Sequence, residues 1–111
     1  MTTVYATTGA DLTKAQTKAL FDSLVQAVEA AVPAAGVILD PLGPDAYAGS
    51  APVRLSAVVV EDSLGSPHRE ALTAAVTSGA RATLGDVPVD VFFKLHDPGS
   101  YAVDGVLARD A

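Results

Sequence analysis

Apolar positions recur at helical spacing between residues 14 and 32. Leu20, Leu24, Ala27 and Ala31 line one stripe, and Phe21, Val25, Val28 and Val32 widen it. Thr13 precedes the run as an N-cap, and Gln16 stands where a capping box needs an amide to reach back. Pro33 stops the helix. A second helix is predicted with Ser66 as its cap and Pro67 in its first position. Ala71, Leu72, Ala75, Val76 and Ala80 form its buried stripe, and Gly85 ends it. Strand patterns flank both helices at 3–8, 36–40, 53–61 and 87–95. Val37-Ile38-Leu39 reads as a short buried strand, and the run Val58-Val59-Val60 predicts a strand covered on both faces.

The pattern therefore repeats. Units at about 2–40 and 53–95 are each strand–helix–strand, offset by some fifty residues, with a tail over 96–111 that holds a possible short strand at 103–107. A loop over 41–52, with three prolines and two glycines, joins them. In a βαβ unit the strands are parallel and the crossover right-handed, so both helices fall on one face of a four-stranded sheet. The predicted fold is a two-layer α/β domain spanning residues 1–111. The other sheet face is also apolar, and an oligomer is the simplest cover for it. A ferredoxin-like plait has the same element order, but there a strand of the other unit separates the two strands of each unit.

Half of the 111 residues are hydrophobic and only 5% aromatic, so the core is built of Val, Leu and Ala. The formal charge is −6 with seven scattered basic residues, which excludes the basic stripe that nucleic acid needs and disfavours anionic membranes. Cysteine is absent, which removes disulfides and thiol chemistry. No apolar run approaches a membrane span and the first residues lack a basic leader, so a cytoplasmic protein is expected. His68 and His96 are the only histidines, and no metal motif surrounds them. Phosphate loops and nucleophile elbows are missing too, so no cofactor is expected.

Two stretches carry a family resemblance. Thr2-Thr3-Val4-Tyr5-Ala6-Thr7-Thr8 leading into Leu12-Thr13-Lys14-Ala15-Gln16 resembles the first strand, turn and helix start of the tautomerase superfamily. This is the trimeric β-α-β group with 4-oxalocrotonate tautomerase, malonate semialdehyde decarboxylase and cis-3-chloroacrylic acid dehalogenase. Val89-Asp90-Val91-Phe92-Phe93-Lys94-Leu95 into Pro98-Gly99-Ser100 resembles the end of the dehalogenase core. The resemblance implies a homotrimer with sheets facing inward, and an amino-terminal proline that works as acid, base or nucleophile beside carboxylate-binding arginines. This chain departs from that pattern. Thr2 stands in place of the proline, Leu12 in place of the turn arginine, and acidic or neutral residues at 61–64 where further arginines are expected.

Thr2 becomes a candidate if Met1 is removed, because a free α-amine titrates near about 7.7–8.0 and suits proton transfer. Otherwise it simply begins an edge strand. The resemblance brings Asp104 to the family's late carboxylate, and Glu61 would complete an acid/base pair with it; both types more often cap turns or face water. Phe93 would supply an apolar wall. Tyr5, Tyr47 and Tyr101 are candidate pocket hydrogen-bond donors or interface residues. Arg54, Lys94 and Arg109 are the basic residues placed to replace the missing arginines, or are surface ion-pair partners. The expected function is keto–enol isomerisation of a small carbonyl compound. The alternative is a non-catalytic oligomeric or small-ligand-binding module on the same or a ferredoxin-like scaffold.

Overall fold

The computed structural model describes residues 2–43, 54–61, 68–95, 99–100 and 102–110. Strand β1 (Thr3–Thr8) leads to helix α1 (Lys14–Ala31) and strand β2 (Gly36–Pro41); β3 (Leu55–Glu61) leads to α2 (Arg69–Leu84) and β4 (Val89–Leu95). A hairpin, β5 (Ala102–Val103) and β6 (Val106–Leu107), follows, and then a short 3-10 turn. The sheet order is β2-β1-β3-β4. β1 pairs in parallel with β2, and β3 with β4, while β1 and β3 are antiparallel. The strands of each unit are thus neighbours, which excludes the plait. The middle of the central β1–β3 pair lies between Tyr5–Val58 and Ala6–Ala57.

Local chemistry sets the helix ends. Thr13 Oγ1 accepts from Gln16 N–H at 3.1 Å while Gln16 Oε1 accepts from Thr13 N–H at 2.9 Å, which is the expected capping box. Gly85, at φ 80°, closes α2. Leu20, Leu24 and Val28 from α1, and Leu72, Val76 and Ala80 from α2, pack on Val4, Ala6, Leu55, Ala57 and Val59. Gly79 lets the helices approach closely, since a Cβ there would stand 3.0 Å from the Ser23 carbonyl oxygen.

Several expectations need correction. The N-cap of α2 is His68, whose carbonyl accepts from Leu72 N–H at 2.8 Å. Ser66 and Pro67 lie outside the described residues, as do residues 44–52 of the long loop, Tyr47 among them, and Val53. Ala71 is exposed, and Gly79 takes a place in the buried stripe because the helix–helix contact is centred further round the helix. β2 is an edge strand with Ile38 about half exposed rather than a buried one. Val59 is fully buried, but Val58 is open: the helices cover only one face of the sheet. β3 and β4 each begin two residues later than predicted, at Leu55 and Val89.

The uncovered face has an ordered surface. Register places Ile38, Tyr5, Val58 and Phe92 in one row across all four strands. Each is exposed, Phe92 at 61%. Cross-strand neighbours of this kind stabilise the sheet, but a contiguous apolar row in water calls for a cover. No described helix is long and apolar enough to cross a membrane.

Candidate functional site

Alternation along β3 puts Leu55, Ala57, Val59 and Glu61 on the helix-covered face. Glu61 ends the strand and is only 3% exposed. A buried carboxylate needs a partner, and Arg69 provides it from the first turn of α2. Arg69 Nε donates to Glu61 Oε1 at 3.0 Å, and Nη2 lies 2.9 Å from the same oxygen. Glu61 Oε2 is buried and has no hydrogen-bond partner among the described residues. The Arg69 guanidinium carbon sits 5.0 Å from the centre of the Phe93 ring, a cation–π stack. Phe93 faces the same side, opposite Val59 in the β3–β4 ladder.

Thr2 meets this corner through the antiparallel register. Thr3 pairs with Val60, so one step further carries Thr2 to the level of Glu61. Alternation back from buried Val4 puts the Thr2 side chain on the helix-facing side. Its carbonyl accepts from Gly36 N–H at 2.9 Å, which fixes the backbone there. Thr2, Glu61, Arg69 and Phe93 therefore share one end of the sheet. In the first unit Thr8 ends β1 as Glu61 ends β3, and its Oγ1 accepts from Ala10 N–H. The acid–guanidinium pair belongs to the second unit alone.

Arg54 is elsewhere. It precedes β3 by one residue, so it stands about 23 Å from Glu61 along the strand at roughly 3.3 Å per residue. There its Nη2 pairs with Asp90 Oδ2 at 3.0 Å, and Ser56 Oγ donates to the same oxygen at 3.4 Å. Tyr5 lies on the opposite sheet face, in the apolar row. Asp104 is exposed in the β5–β6 turn, at φ 53°, with Gly105 at φ 80°. Two left-handed residues between the Val103–Val106 pair form a type I′ pattern, which favours Asp followed by Gly. Tyr101 and His96 lie outside the described residues. Lys94 projects from the face opposite Phe93, and Arg109 pairs with its neighbour Asp110 at 3.8 Å.

Sequence reasoning missed Arg69. Within His68-Arg69-Glu70 it reads as one more polar residue at a solvated helix start. The signal was in β3: an acid in register with three buried apolar positions demands a cation close by. A surface groove of about 660 Å³ runs along the outer face of α2 past Arg69, Thr73, Thr77 and Arg81. It holds neither Glu61 nor Thr2, and the chemistry described above lies at the sheet end. Among the described residues no three acids or histidines cluster as metal ligands.

No protein-family model matches the chain, and no curated protein does. Solved structures match over nearly the whole length. Pt0534 inactivated by 2-oxo-3-pentynoate has a TM-score of 0.73 at 22% identity, covering 97% of this chain and 95% of the other. A wild-type fused 4-OT described as an asymmetric trimer has a TM-score of 0.70 at 18% identity, with 96% of each chain covered. A malonate semialdehyde decarboxylase inhibited by 3-bromopropiolate gives 0.67 at 16% identity, over 96% and 92%. The fold is that of these proteins, duplicated β-α-β units under two helices.

Proposed function

We propose that the chain is a divergent tautomerase-superfamily protein that moves a proton between carbon and oxygen in a small carbonyl compound. The observation that carries this reading is Glu61: a buried carboxylate with one unpaired oxygen, held by Arg69 above Phe93, at the level where β1 begins. In the reaction, the Glu61 carboxylate takes the proton from the enol hydroxyl. The α-amine of Thr2, exposed once Met1 is removed, delivers a proton to carbon, and exchange between the two groups restores the start. Remaining N–H groups of Arg69 bind the oxygen on which charge develops. Phe93 keeps water from that side and so strengthens these interactions.

The shared fold with the fused 4-OT trimer and the open row Ile38–Tyr5–Val58–Phe92 both support self-association into a homotrimer through the uncovered face. Burial of that row in a trimer would account for the apolar character of the second sheet face. A second reading is a non-catalytic, small-ligand-binding module, and the replacement of the family's proline by Thr2 favours it.

Ketonisation of phenylenolpyruvate and of its methyl ester distinguishes the two. Turnover of either above background, lost in Glu61→Gln, supports catalysis at this corner. Background rates on both from correctly assembled protein favour the binding module. Intact mass supplies an independent check, because retained Met1 covers the Thr2 amine.

A further inference from the structure

The Glu61–Arg69 pair sets the charge of the corner. A guanidinium has five N–H donors. Two of the Arg69 nitrogens converge on a single oxygen, Glu61 Oε1, at 3.0 and 2.9 Å. The side chain is 44% exposed, so its remaining donors reach solvent. Its positive charge, however, is already matched by a carboxylate that is itself almost completely buried. Glu70 adds a second acid in the same helical turn, and Lys94 stands on the other face of the sheet. The chain as a whole carries −6.

An incoming carboxylate would meet a cation already neutralised by Glu61, beside a buried negative charge that repels it. A neutral carbonyl oxygen needs only a donor, and Arg69 still has donors to give. We infer that the corner takes uncharged carbonyl compounds, such as ketones, aldehydes or esters and their enols, and rejects carboxylates, with Glu61 as the residue that enforces the choice. This rests on the corner being the binding site proposed above, and not on turnover.

Two unreactive probes of one skeleton test it: 3-phenylpropanoate and its methyl ester, titrated by NMR into the assembled full-length chain. Wild type binds the ester about tenfold tighter or more, a preference of at least about 1.4 kcal/mol. Glu61→Gln raises affinity for the acid about tenfold and leaves the ester nearly unchanged. Glu61→Gln combined with Arg69→Gln abolishes that gain, which identifies the unmasked group as the guanidinium. Wild-type binding of the acid as tight as that of the ester, or binding of neither, overturns the inference. If Glu61→Gln does not fold, the wild-type ratio decides together with its salt response: acid binding that weakens with added salt marks an attractive cation and also overturns it. The catalytic reading fails separately. Background turnover with the ester preference intact removes catalysis and leaves this inference standing, whereas faster turnover of the acid than of the ester does the reverse.

Discussion

Arg69 and Glu61 are eight residues apart in the chain and are joined across the corner between β3 and α2, with the acid buried and the base half open. The asymmetry decides which substitution matters. Removing Arg69 leaves a buried carboxylate without its partner. Arg69→Met is therefore expected to cost about 1–3 kcal/mol, less than a fully buried pair because water reaches the corner through the exposed side. Urea unfolding measures it. Replacing both partners, as in Glu61→Leu with Arg69→Met, should recover most of the loss; no recovery would mean that the pair is not what holds the corner.

The row across the open sheet face predicts an assembly defect without a folding defect. Val58→Asp puts a charge at the centre of that row, next to Tyr5 and Phe92, where the single chain is already exposed. Sedimentation should show a shift from the proposed trimer to monomer while the helical circular dichroism is kept. Loss of both together would mean that this face is needed for the chain to fold at all.

Gly79 marks the helix crossing. A Cβ at this position would meet the Ser23 carbonyl oxygen at 3.0 Å and Leu24 Cα at 3.1 Å, both backbone atoms that cannot swing aside. Gly79→Ala gains about 1 kcal/mol in helix propensity but overpacks the contact by about 1–3 kcal/mol. The expected net effect is a lower thermal midpoint. A rise would show that the helices separate easily.

The capping box gives a local test. Thr13→Ala removes the hydroxyl that accepts from Gln16 N–H, and should cost about 1 kcal/mol with no change in assembly. Equilibrium unfolding and sedimentation, run on the same samples, check both halves of that statement.

The hairpin turn separates a structural aspartate from a chemical one. Asp104→Asn keeps the left-handed preference that φ 53° requires, so thermal stability should be unchanged. Asp104→Val puts a β-branched residue at positive φ and should loosen the hairpin, read as faster amide exchange at Val106 and Leu107.

The elements themselves were legible along the chain. The helical stripe of Leu20, Leu24 and Val28, the Thr13–Gln16 box, the stops at Pro33 and Gly85 and the doubled strand–helix–strand order all depend on neighbours within a turn or two, and so they leave a periodic trace. The partners across the fold left no such trace. The antiparallel join of β1 to β3 sets Thr2 level with Glu61 and gathers Ile38, Tyr5, Val58 and Phe92 into one row, and register of that kind is fixed by packing between segments some fifty residues apart. The start of α2 at Arg69 follows the same rule. A local cap at Ser66 was chemically reasonable, but the helix begins at Arg69 with His68 as its N-cap, and the pairing of Arg69 with Glu61 exists only once β3 has placed the acid beside that turn.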